Sequence, residues 1–192
     1  MKKANQVLYF LREVTIVVIG VLIAVSLGNL KESLENDHYV EKTLEAIENE
    51  IKLSQADLDT VLKKHYALID SLEIYNFDEQ QSLGEMISSW GGFQVASIQN
   101  ASLRFFISNK AELLEFELIS KLLEIENNST LLSTKINRLS DFASEHVNDT
   151  TIDAKIKFGY GLVNVMDSEQ SLLDLYSKFF DENKANLNNE SE

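Results

Sequence analysis

From Val14 to Leu27 the chain carries no charge, and most of its side chains are large aliphatics. A helix made of such residues must be buried, in a protein core or in lipid. The uncharged core is short for a span, which takes about 20 residues. It extends at both ends. Val7-Leu-Tyr-Phe-Leu11 precedes it, Leu30 follows it, and the long side chains of Arg12 and Lys31 can reach back to an interface. Tyr9 and Phe10 stand where an aromatic belt is expected. The segment reads as a transmembrane helix. Within it Gly20, Ala24 and Gly28 recur at every fourth position and give one small-residue stripe, suited to close helix–helix packing.

A cleavable signal peptide is the competing reading. Lys2 and Lys3 give a basic start, and Ala24-Val-Ser26 resembles a cleavage site. Against it, the apolar run starts late, Glu13 stands before it, and helix-compatible sequence continues past the proposed cut. Glu13 itself has two readings, a polar contact inside a membrane assembly or a hydrated carboxylate beside Arg12 at the membrane edge. Lys2, Lys3 and Arg12 precede the core, whereas residues 31–50 hold two lysines against seven acidic residues. Positive-inside bias places the N-terminus in the cytoplasm and the rest on the far side, which in a Gram-negative cell is the periplasm.

Past the span, no glycine or proline occurs between Gly28 and Gly84, and the chain has no proline at all. Long helices are expected, because these residues are the main interior helix breakers. Val40, Leu44, Ile47, Ile51, Leu58, Val61, Leu68 and Leu72 follow one alternating three–four register, with Ser54 and His65 completing it. This seam can pair with a second copy as a coiled coil or pack on later helices of the same chain. One helix over residues 31–74 would extend about 66 Å.

Residues 75–81 read as a loop, and Ser82-Leu-Gly-Glu85 as a capping box opening a short helix. Trp90-Gly-Gly-Phe93 then breaks that helix, with Trp90 and Phe93 either rimming a ligand site or plugging the end of a core. A helix is expected from Ser97 to Ile107, and another capped by Ser108 or Asn109, with Asn127–Thr130 as its interruption. Residues 148–151 read as a loop. Residues 152–166 are ambiguous between helix and extended chain, and Asp167-Ser-Glu-Gln170 suits the cap of a final helix through Phe180.

The expectation is an all-α protein: an N-terminal transmembrane helix continuing into a long stalk helix that packs in an up-and-down helical bundle. Its divisions are 1–30 (cytoplasmic N-terminus and span), 31–74 (acidic stalk), 75–185 (bundle) and 186–192 (disordered tail).

The net charge of −14 opposes nucleic-acid binding, which needs a basic footprint. With no cysteine there is neither a disulfide nor a thiolate site. His38, His65 and His146 have no metal-site spacing, and His65 on the seam reads as a core histidine, His146 as a surface partner of Glu145. Neither a nucleophile elbow nor a phosphate-cradling loop is present. No catalytic residue, metal or cofactor is expected, and the chain reads as a non-enzymatic protein. Asn127, Asn128 and Asn148 each open a glycosylation tripeptide, a pattern common by chance.

Two segments resemble a known family. Glu13-Val-Thr-Ile-Val-Val-Ile-Gly-Val-Leu-Ile-Ala24 is similar to the span of an uncharacterised family of small bacterial single-span membrane proteins, frequent in Bacteroidota. Ile98-Gln-Asn-Ala-Ser-Leu-Arg104 is similar to that family's Ile-x-Asn-x-x-Leu-Arg segment. The family's Asn-Asn-Trp after the span is replaced here by Gly28-Asn-Leu30. The resemblance implies an anchored helical protein and supplies no activity; the span and its charge bias lead to the expectation of a bacterial inner membrane.

The partners expected are the lipid bilayer and either a second copy or another membrane subunit. The leading functional expectation is an extracytoplasmic helical domain that mediates oligomerisation or serves as an accessory or scaffold subunit. The alternative is an extracytoplasmic ligand-sensing four-helix module that signals through a partner, since no second span follows.

Overall fold

The computed structural model describes the backbone of residues 2–75 and 79–189, and the side chains of residues 10, 12–72 and 79–181. Among these the chain forms five α-helices and no strand. They are α1 (Lys2–Tyr75), α2 (Leu83–Ser89), α3 (Ala101–Lys110), α4 (Phe116–Glu145) and α5 (Ile152–Asn189), with a 3-10 turn at Ala111–Leu113. The chain divides into two compact units, Met1–Leu44 and Glu45–Glu192.

The first unit is the N-terminal part of α1. It is long and apolar enough to cross a membrane, and none of its apolar window is buried. The aliphatics from Val14 to Leu30 stand open on all sides. Its polar part carries exposed pairs one turn apart, Lys31–Glu35 at 3.6 Å and His38–Glu41 at 3.6 Å. Pairs of this kind contribute little in water.

The second unit begins within the predicted stalk, at Glu45 rather than at residue 75. Ile47, Ile51, Leu58, Val61, Leu68 and Leu72 are buried in it, as are Ser54 and His65 of the same register. Val40 and Leu44, which precede the unit, are half-buried.

Pairings along the helices give their directions. Lys52 lies 5.5 Å from the Phe180 ring, Gln55 bonds Ser177 at 3.3 Å, and His65 meets Glu169 at 2.9 Å. One number rises as the other falls, so α1 and α5 are antiparallel. Lys135 reaches Ser168 at 2.6 Å, and Gly161 faces Leu139, so α4 and α5 are antiparallel too. Within this unit α1 and α4 therefore point the same way, and the chain between them must travel back.

Part of the return is not helical. Residues 92–100 form no helix, and α3 starts at Ala101 instead of Ser97. Burial alternates along this strap: Ala96 is buried and Gln94, Ile98 and Asn100 are half-buried, whereas Val95, Ser97 and Gln99 are exposed. That period of two is the signature of extended chain with one face inward.

Two features set up the strap. Ser82 accepts from the Glu85 amide at 3.2 Å while Glu85 accepts from the Ser82 amide at 2.9 Å, so the expected capping box is present. Gly91 and Gly92 then take φ of 90° and 83°, left-handed values that glycine adopts without the clash a side chain would bring. Gly84 allows a close approach. Its amide donates to the Val147 carbonyl at 2.8 Å, Leu83 donates to Asp149 at 2.8 Å, and a Cβ on Gly84 would stand 2.7 Å from that Val147 oxygen. The loop after α4 thus takes up α2's first free amides.

Further local expectations are corrected. Ser108 and Asn109 lie inside α3 and do not cap α4, which starts at Phe116 after Glu115. Helix α4 runs through Asn127–Thr130 without a break. There Asn128 Nδ2 donates to Glu124 O at 2.8 Å and Ser129 Oγ to Glu126 O at 2.8 Å, so the polar groups bond back to their own turn. Helix α5 resolves residues 152–166 as helix and continues through Asp167–Gln170, whose Ser168 and Glu169 are buried. It also runs past Phe180 to Asn189, so of the expected tail only 190–192 lie outside the described residues. Residues 76–78 of the expected loop lie outside them as well.

Candidate functional site

Two places concentrate the candidate residues. In the first unit, Gly20, Ala24 and Gly28 lie on exposed helix, and nothing stands within 4 Å of where a Cβ on either glycine would be. Glu13 is exposed on the same helix. The stripe is therefore bare within this chain, and so are the large aliphatics around it.

The second place is the polar line along which α1 holds the strap. At one end the His65 ring bonds Gln94 O through Nε2 at 2.8 Å and Glu169 Oε2 through Nδ1 at 2.9 Å. Phe93 stacks on that ring with centroids 5.1 Å apart and meets Phe158 edge-on at 6.1 Å. Farther along, Asp57 accepts from the Ser97 amide at 2.6 Å, and the Ser54 hydroxyl accepts from the Gln99 amide at 2.8 Å. At the other end both oxygens of Glu50 accept from the Ser102 amide, at 2.9 and 3.1 Å. No side chain next to α3 caps it. A carboxylate from α1 satisfies its first turn instead, where the helix dipole favours negative charge.

The spacing is a matter of rise per residue. From Gln94 to Gln99 the extended strap covers about 16.5 Å at 3.3 Å per residue. From Ser54 to His65 the helix covers about 16.5 Å at 1.5 Å per residue. The two ends of the line therefore match without a bulge.

The residues of the Ile98–Arg104 segment have structural partners. Leu103 is buried, Asn100 Nδ2 donates to Ser129 Oγ at 3.1 Å, and Arg104 reaches Glu126 at 3.3 Å and Thr130 at 3.1 Å. They join the strap and α3 to α4.

Burial shapes the electrostatics. Tyr176 is almost fully enclosed, and this pushes its hydroxyl up to about 12, against a smaller opposing effect of its bond to Ser54. Asp149 is held below the usual carboxylate range, first by the Thr151 hydroxyl, then by the Thr151 amide, with His146 also helping. His146 thus pairs with Asp149 at 3.2 Å, rather than with Glu145 as its sequence position suggested. Of the two aromatics flanking the glycines, Phe93 stacks on the buried His65 ring, whereas Trp90 is about half exposed.

Among the described residues no cluster of histidine and carboxylate side chains could hold a metal ion. Surface grooves are open. One of about 530 Å³ runs between α1 and α5 and is lined by residues that include Lys52, Gln55, Asp59, Gln170, Asp174 and Ser177.

Sequence reading found His65 and the seam but not what His65 meets. Gln94 and Glu169 lie 29 and 104 residues away, beyond any local pattern. The usable signal was a lone ionisable residue in an apolar register, which demands a partner.

In comparisons with known proteins, no family model matches the chain, and neither a curated protein nor a solved structure matches it. The resemblance at Glu13–Ala24 and Ile98–Arg104 rests on those short motifs.

Proposed function

We propose that this chain is a non-enzymatic, single-pass anchor protein of a bacterial inner membrane. Its N-terminus lies in the cytoplasm, its helical unit lies in the periplasm, and it associates through its span with a second copy or another membrane subunit. The observation that carries this reading is the bare Gly20/Ala24/Gly28 stripe among exposed aliphatics. In lipid, small residues let two helix backbones approach and gain packing that lipid chains do not offer. The seam from Ile47 to Leu72 is already used within the chain, which shifts the expected association from the stalk to the span. The up-and-down bundle remains the architecture proposed for the helical unit, with the strap as its return leg.

Crosslinking in native membranes, followed by native mass spectrometry in mild detergent, tests this. The wild type should run as an oligomer or with a copurifying membrane protein, and Gly20→Leu/Gly28→Leu should reduce that species several-fold. A strict monomer with no copurifying partner would overturn it. Fusion of a periplasm-dependent reporter after Glu192 tests the orientation.

The ligand-sensing alternative is favoured by one observation, the groove between α1 and α5 with both charge signs on its walls. Shifts in the amide signals of Gln55 and Gln170 on titration with small amphoteric solutes would support it.

A further inference from the structure

His65 and Glu169 do more chemistry than a buried contact requires. The two side chains are 1% and 0% exposed, and together they tie three elements: α1 through His65, α5 through Glu169 and the strap through the Gln94 carbonyl. A carbonyl only accepts, so Nε2 carries a hydrogen. The contact between Nδ1 and Oε2 then needs one proton, on either the nitrogen or the oxygen. In both cases the pair is neutral as a whole, as imidazolium with carboxylate or as imidazole with carboxylic acid. The other carboxyl oxygen, Oε1, is buried without a hydrogen-bond partner.

We propose that this pair is a proton-operated latch on the strap, closed while it holds its single shared proton and opened by a second. The second proton leaves a net positive charge in an enclosed site, and burying an uncompensated charge is costly. It also places an O–H and an N–H where one hydrogen bond stood. The charges tied into the neighbourhood do not relieve it. Lys64 of α1 bonds the Gln94 side chain at 2.6 Å, and Lys135 of α4 bonds Ser168, next to Glu169, at 2.6 Å. Both repel a further positive charge. Asp57 of α1 is bonded to the Ser97 amide, two turns of helix before His65. Lys155, also buried on α5, stands 14 residues earlier, about 21 Å along the helix. The strap, residues 92–100, carries no charge. The cheapest relief is to let water reach the ring, which means unstacking Phe93 and releasing Gln94. The strap, held by scattered side chains, gives way before the long helices do. This inference does not depend on whether the span associates.

The test uses the full chain in detergent micelles. Hydrogen exchange, corrected for the intrinsic effect of pH, is followed from about pH 6 to about pH 3, because the pair already holds one proton and a second is taken up only where a solvated carboxyl, which titrates at about 4.3, is protonated beside an imidazolium. In the wild type the strap peptide should lose about tenfold more protection than α4, and the fluorescence of Trp90, the sole tryptophan, should shift over the same interval. In His65→Gln/Glu169→Gln, which has no titratable group at this point, the difference should vanish. Loss of protection in strap and α4 together, or the same difference in the double variant, would overturn the latch. If the double variant does not fold, the nitrogen shifts of the His65 ring and the carboxyl carbon shift of Glu169 in the wild type decide. One of the two must change as the strap opens, and both staying unchanged through that opening refutes the proposal.

Discussion

The Ser54 hydroxyl accepts from the Gln99 amide at 2.8 Å and donates back to the same residue's carbonyl at 3.4 Å. One side chain on α1 thus stands in for the neighbouring strand that an extended segment ordinarily needs. Ser54→Ala should cost about 1–2 kcal/mol, the usual result of leaving such a group without its partner. Urea unfolding measures the loss, and the Gln99 amide should exchange faster than in the wild type. Equal stability would mean that water replaces the hydroxyl at no cost.

The same serine bonds Tyr176, whose hydroxyl is pushed up to about 12 by burial. The sign follows from linkage. The folded state keeps its proton more tightly than the unfolded chain, where tyrosine titrates near about 10. The contribution is fully present below about pH 10 and is lost as pH rises through about 12. Over that interval it amounts to about 3 kcal/mol. Alkaline unfolding by circular dichroism should be shallower in Tyr176→Phe than in the wild type, and absorbance near about 295 nm should show one tyrosine titrating with unfolding.

Gly84 sits against the Val147 carbonyl with no room for a methyl group. Gly84→Ala should destabilise the unit by about 1–3 kcal/mol through overpacking. Gly161→Ala should cost less, because the atom it meets is the mobile end of Leu139. Thermal melts of the two variants check the order.

Asp149 is held down by Thr151 and His146, so its contribution is present above the unfolded carboxylate value near about 3.9 and is lost as pH falls through the lower folded one. Asp149→Asn should fray the start of α5 at neutral pH and weaken the response to acid. Exchange at the Ala154 amide, bonded to Thr151 at 3.3 Å, reports it.

What could be read in advance was local or periodic. The Ser82/Glu85 cap, the glycine turn and the buried positions from Ile47 to Leu72 each carry their cause in neighbouring residues. The strap does not. Ala96 and Ile98 suit a helix as well as an extended chain, and the groups that hold the extended form are Ser54 and Asp57, 45 and 40 residues away, while Glu50 fixes where α3 begins. Helix α5 misled for the opposite reason. Gly159 and Gly161 look like breakers, yet both lie inside α5 where it packs on other helices: a Cβ on Gly159 would touch Ile69 and Leu72 at 3.8 Å, and one on Gly161 would meet the end of Leu139 at 2.7 Å. Asp167–Gln170 resembles a cap only until Glu169 is seen to be buried opposite His65.

Because helix and extended chain advance at different rates, the strap acts as a vernier on α1. Removing one residue between Gln94 and Gln99 would displace the remaining anchors by about 3.3 Å, the length of about two helical residues, and turn inward side chains outward. Both His65 and Ser54 could not then be engaged at once. Side-chain identity at exposed Val95 is comparatively free, whereas the number of residues is not: here the chain encodes a length.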